Sequence, residues 1–124
     1  MRIRIVWTTG QAIAHLKNTP TADRLWSALP LQSKANTWGE EVYFRVPVQT
    51  DLELDAIQVV DPGTVCFWVE GQSVAIPFGP TPISKGNECR LVTKVNVVGQ
   101  LEGDPRALRF IREGDLMRVE KIEG

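Results

Sequence analysis

The sequence predicts a mainly β protein: a closed antiparallel barrel of about eight strands capped by two α-helices. Three observations lead there. Short segments in which apolar and polar residues alternate recur along the chain, as half-buried strands require. Only two segments carry an apolar stripe at helical spacing, and each opens on a capping residue followed by proline, Thr19-Pro20 and Asp104-Pro105. Strands run together instead of alternating with helices, which disfavours a parallel doubly wound sheet and leaves closure as the way to remove open edges.

A chain of 124 residues fits one domain, residues 1–124, with enough chain for a single core. With 14 basic and 15 acidic side chains and no Lys/Arg cluster, it lacks the electrostatic footprint of a nucleic-acid partner. Cys66 and Cys89 form no CxxC pair and the one histidine, His15, is remote from both, so the spacing of a zinc site is missing. No Walker loop and no GxGxxG occurs, so no cofactor is expected. The N-terminal MRIRIVWTTG alternates where a signal peptide would be continuously apolar, and there is no apolar run of membrane-spanning length. The expectation is a soluble, cytoplasmic protein without a membrane partner, and no residue pattern indicates an oligomeric state.

Residues 2–8 place Ile3, Ile5 and Trp7 on one face and Arg2 and Arg4 on the other, a strand. Thr9 and Gly10 turn the chain, with glycine expected to supply a positive φ. The return strand, residues 11–16, directs Ala12, Ala14 and Leu16 inward and leaves His15 at the surface. Ala22, Leu25, Trp26 and Leu29 then form the stripe of the first helix, residues 20–29, which Pro30 ends. Residues 31–35 read as a short strand and residues 49–60 as an irregular excursion.

After the Asp61-Pro62-Gly63 turn, residues 64–69 alternate Val65, Phe67 and Val69 against Thr64, Cys66 and Trp68. Cys66 there is a small buried hydrophobe. In residues 73–78, Pro77 cannot donate to a ladder, so it is expected at an edge or facing away from its neighbour. A strand at 92–101 sets Val95 and Val97 against Lys94 and Asn96. The second helix, residues 105–112, carries Ala107, Leu108 and Ile111, with Gly114 suited to a left-handed stop. Met117 and Val119 mark the last strand.

The segment NTWGEEVYFRVPV, residues 36–48, supplies the site candidates. Val42, Phe44 and Val46 point to the core, and Glu41, Tyr43 and Arg45 point out. Trp38 and Glu40 flank the hinge at Gly39. The proline-stiffened loop at 78–84 adds Phe78, Thr81 and Pro82 as the other wall of a groove. An aromatic ring with a hydroxyl, carboxylate acceptors and a guanidinium donor suit a binding groove for a small molecule or a peptide. Glu40 and Glu41 are neighbours on a strand whose side chains diverge, so they do not form an opposed acid–base pair.

Two longer strings, IAHLKNTPTADRLWSALP (13–30) and VNVVGQLEGDPRALRFI (95–111), resemble strand-and-helix segments of cyclophilins. NTWGEEVYF (36–44) and FGPTPIS (78–84) are similar to signatures of the small cyclophilin-like proteins of bacteria and archaea, a family of unknown function. The resemblance covers nearly the whole chain and implies the cyclophilin-like barrel. It does not carry over the prolyl isomerase: the Phe-Met-x-Gln string is missing, Val95 stands where cyclophilins have histidine, and about Arg90 where they have tryptophan. Arg45 superficially echoes their Phe-x-Arg-Val motif, although strand order would put Lys34 or Ala35 nearer the catalytic arginine. The expected function is therefore a cyclophilin-like binding protein acting through the barrel's outer face. The alternative is an isomerase with a non-standard site, in which Arg45 weakens amide conjugation.

Overall fold

The computed structural model describes residues 1–123. Its strands are β1 (Arg2–Trp7), β2 (Gly10–Leu16), β3 (Leu31–Lys34), β4 (Asn36–Thr37), β5 (Glu41–Arg45), β6 (Ile57–Val60), β7 (Thr64–Trp68), β8 (Ser73–Pro77), β9 (Cys89–Leu101) and β10 (Leu116–Glu123). Helix α1 spans Pro20–Ser27, and a 3-10 helix spans Pro105–Phe110. Nine strands follow one antiparallel path, β3-β10-β1-β2-β9-β7-β8-β5-β4. The path closes through the chain itself, because only Ala35 separates β3 at one end from β4 at the other. Ala35 is tied in place on both sides: its N–H donates to Asp115 O at 2.8 Å and its carbonyl accepts from Gly114 N at 2.8 Å.

Strand alternation holds where expected: Ile3, Ile5, Val42, Phe44, Val46, Met117 and Val119 are all buried. Together with Phe67, Val74 and Val98 they fill the barrel, and α1 adds Ala22 and Leu25 to the same core. Thr19 caps α1 by accepting from Ala22 N at 3.1 Å, as the Thr-Pro opening predicts. Asp104 likewise accepts from Arg106 N. The second helix is shorter and tighter than expected, because Ile111 already has extended backbone (φ −74°, ψ 132°).

Several details differ from the sequence reading. The barrel has nine strands, since the bend at Ala35 breaks one strand into β3 and β4. The 49–60 excursion ends in β6, which pairs with the first half of β9. Pro77 is not at an edge: β8 lies between β5 and β7, and the proline is its last residue. Gly10 has no positive φ. It opens β2, where an added Cβ would sit 3.1 Å from the Trp7 ring.

The first half of β9 shapes the outer surface. In β9, residues 96–100 pair with β7, with a register shift opposite Val65/Cys66, and residues 89–95 pair with β6. The β6–β9 ribbon folds over the outside of β7 and β8, so Leu91 and Val95 pack with Cys66 and Ala75 in a second, smaller apolar cluster. The irregular segment before β6 is held by Asn96. Its Nδ2 donates to Thr21 Oγ1 and Asp51 O, each at 3.0 Å, and its Oδ1 accepts from Glu53 N at 2.8 Å. Removing a buried side chain that satisfies several polar groups leaves them unpaired; Asn96→Ala is expected to cost about 2–3 kcal/mol in a urea titration. A loss within the error of the titration would show that water replaces the amide.

Candidate functional site

The site begins at a tight turn. Trp38 N donates to Glu41 O at 3.0 Å, and Gly39 between them has φ +60°, where a side chain would be strained. A Cβ at Gly39 would also meet Pro82 Cδ at 2.7 Å, so the 78–84 loop is pressed directly against the turn. Backbone bonds lock the two together: Glu40 N to Pro80 O at 3.0 Å and Phe78 N to Glu40 O at 2.8 Å. The loop is stitched in turn to β9, since Ser84 Oγ accepts from Thr81 N and Arg90 N, and Thr81 Oγ1 donates to Arg90 O. The loop thus braces the turn that carries Trp38.

Outward-facing side chains of β5 then meet the β6–β9 ribbon around a cavity of about 180 Å³. Its walls are aromatic: Trp38, Tyr43 and Trp68. Tyr43 and Trp68 stand almost perpendicular, 87° between planes with centroids 5.8 Å apart. Ala75, Leu91 and Val95 supply buried apolar surface, and Val92 is exposed. The one carboxyl in the lining is Glu41, a residue only 5% exposed, whose Oε1 has no hydrogen-bond partner. Burial pushes its pKa up to about 7. Trp68 Nε1 is also buried without an acceptor.

Three larger depressions exist, of about 420 Å³ beside Asp23 and Gln49, about 360 Å³ beside Lys17 and Asp61 and about 240 Å³ beside Pro30 and Glu120. None is lined by a residue with a buried polar atom that lacks a partner. Unpaired buried polar atoms cost free energy unless something satisfies them. The aromatic-walled cavity brings together two residues with such atoms, Glu41 and Trp68, whereas a depression of about 160 Å³ beside Val6 and Arg118 has one, Trp7.

Of the residues singled out from the sequence, Trp38, Glu41 and Tyr43 come together in this cavity. Glu40 is half-buried toward Gly79, where an added Cβ would clash with its carboxylate. Arg45 is exposed and donates to Gln72 Oε1 at 3.0 Å, so it neither pairs with Glu41 nor lines the cavity. Phe78 packs against the barrel core, Thr81 is buried in the loop's own bonds, and Pro82 lies against Gly39. Glu41, expected to point outward into a groove, is buried because the β6–β9 ribbon covers that face.

Trp68, Ala75, Leu91, Val92 and Val95 complete the lining and were not singled out. A signal for two of them exists: Cys66, Trp68 and Ala75 are apolar at outward positions of β7 and β8, and a strand apolar on both faces needs cover on both. The cysteines beside the site are not poised as nucleophiles. Burial, reinforced by the Glu41 charge, raises the Cys66 thiol far above its usual range, and burial raises Cys89.

A nearly closed barrel with two helices and a small pocket on its outer wall defines the class, and comparison with known proteins supplies the family. The model of the cyclophilin-like family matches residues 1–120, and the chain belongs to that family. The solution structure of a hypothetical protein from Archaeoglobus fulgidus is similar, with a TM-score of 0.82 and 33% identity over 97% of this chain and 93% of that one. McbB, solved in complex with tryptophan, shares the fold at a TM-score of 0.75 and 20% identity; the match covers 98% of this chain and 45% of McbB. No curated protein sequence matches the chain. No helix among the described residues is long and apolar enough to cross a membrane.

Proposed function

We propose that the protein binds a compact, mostly apolar small molecule in the cavity enclosed by Trp38, Tyr43 and Trp68. The observation that carries this reading is the pairing of an apolar enclosure with two buried polar atoms, Glu41 Oε1 and Trp68 Nε1, that no group among the described residues satisfies. A few placed polar groups in an apolar pocket are what fix a ligand's orientation. The volume of about 180 Å³ sets the size. Pockets for drug-sized ligands run from about 300 Å³ upward, whereas about 150 Å³ accommodates a benzene ring. The guest is therefore a single ring or a branched alkyl group with a donor for Glu41 and an acceptor for Trp68. McbB, of the same fold, is in complex with tryptophan, itself an apolar ring system with polar groups. For prolyl isomerisation, the guanidinium that would act as donor, Arg45, faces Gln72 instead of the cavity.

The test is a screen of single-ring and branched aliphatic compounds by thermal shift, since a ligand that binds only the folded state raises Tm. Tyr43→Ala and Trp68→Ala should each weaken a genuine ligand by about tenfold or more, the cost of losing one aromatic wall. Undiminished affinity in both variants would put the binding site elsewhere.

A further inference from the structure

Resting on that reading, a narrower one concerns the ligand's charge. Elsewhere on the molecule exposed aromatic faces are already occupied by the protein's own cations. The Arg109 guanidinium lies over the Phe110 ring at 4.3 Å from the centroid, and Lys121 Nζ over Trp26 at 4.8 Å. Trp38, Tyr43 and Trp68 have no such cation among the described residues, although they line one enclosure. Glu41 in the same enclosure has no ion pair among the described residues either. The nearby basic residues are engaged elsewhere: Arg45 donates to Gln72, and Arg90 pairs with Glu88 at 3.0 Å.

Aromatic faces carry negative quadrupole potential, and a carboxylate adds a full charge. Three rings, two of them perpendicular, with one buried carboxyl form the arrangement that recognises an organic ammonium ion. We infer that the cavity is a cage for a small protonated amine, its N–H directed at Glu41 Oε1 and its carbon substituents held against Trp38, Tyr43 and Trp68. The cavity admits an ammonium group with a few carbons and excludes a bulky amine. A hydrated metal cation is a poor match, since the lining offers a single carboxyl and almost no other oxygen.

The inference carries a pH signature. The titratable groups around Glu41 are Tyr43 on β5, Cys66 on β7 and Cys89 on β9, with Glu40 in the adjoining turn. Both thiols are held neutral by burial, so the carboxyl is the group whose charge changes near neutrality. An ammonium ligand favours the ionised carboxylate, so its affinity rises with pH through about 7. A neutral guest shows no such rise.

Isopentylamine and isopentanol form a suitable pair, alike in body and differing in charge, since an alkylamine stays protonated at about pH 8.5. Calorimetry on the whole protein at that pH should give the amine at least about tenfold tighter binding than the alcohol. At about pH 5.5 the preference should shrink to the smaller part that the rings alone supply, because Glu41 is then protonated. Glu41→Gln should remove the rise in amine preference between the two pH values, and a cooperative thermal melt shows that the variant is folded. Equal or tighter binding of the alcohol to the wild type, or a pH-dependent rise in amine preference that survives Glu41→Gln, would overturn the cage and leave the apolar pocket standing. Binding of neither compound, nor of other small amines and alcohols of similar size, would overturn both.

Discussion

Phe44→Ala is expected to lower the free energy of unfolding by about 3–5 kcal/mol, the range for truncating a buried aromatic. Phe44 is 1% exposed and faces the barrel interior from β5, opposite Val74 of β8. Its removal leaves a hole that strands paired on both sides cannot collapse into. Tyr43→Ala, one residue away, removes a half-buried ring that already borders open space. Its cost should be appreciably smaller. In a denaturant titration the two variants should show unequal midpoints at similar slopes. Equal losses would mean that β5 is paired one residue out of register.

Glu41→Gln should change the pH dependence of stability as well as its size. Burial raises the Glu41 carboxyl from 4.5 to about 7, so between those values the native state holds a proton that the unfolded chain has released. Raising the pH through this window therefore destabilises the wild type, by roughly 3 kcal/mol over the whole interval. Above about 7 the native carboxyl is also ionised, and the penalty is then complete. The glutamine variant has no such proton to lose; it should be flat across the window and more stable than wild type at about pH 8. Glu88 and Glu102 act in a separate range. Their carboxyls are lowered by hydrogen bonds to Arg90 and Arg2, so their contribution is lost as pH falls through their depressed values. A wild type whose stability does not fall between about pH 5 and 8 would show Glu41 to be solvated.

Alternation made much of this barrel legible in the sequence. Ile3-Ile5-Trp7 and Met117-Val119 have a single buried face, and the Thr19-Pro20 and Asp104-Pro105 openings announce helices whatever surrounds them. The outer layer was not legible, because it depends on pairings distant in sequence. β6 follows a charged segment in which Leu52 and Leu54 alternate with Asp51, Glu53 and Asp55 without forming a strand, and it gains its own strand character by pairing with β9. Asn96 reads as a solvent-facing residue by its polarity, yet it is 1% exposed because Thr21, Asp51 and Glu53 satisfy it. The same layer explains the site. Trp38, Glu41 and Tyr43 could be found from one strand and its turn, whereas Leu91, Val92 and Val95 reach them only because the first half of β9 leaves β7 to pair with β6 and packs over β7 and β8. The polar pattern of β5 suggested an open groove toward the 78–84 loop. The ribbon closes the outer face into a pocket on its other side, and the loop serves as a brace.

The central claim is that ligands enter the enclosure of Trp38, Tyr43 and Trp68, and the indole N–H resonances test it most directly. Trp7, Trp26, Trp38 and Trp68 each give one such signal, and only Trp38 and Trp68 line this cavity. Titrating the nitrogen-15-labelled protein with a ligand found by the screen should move the Trp68 signal most, because its Nε1–H gains an acceptor. Trp38 should follow, with Trp7 and Trp26 unmoved. Saturable binding that shifts Trp26 or Trp7 and leaves Trp38 and Trp68 in place would contradict the account.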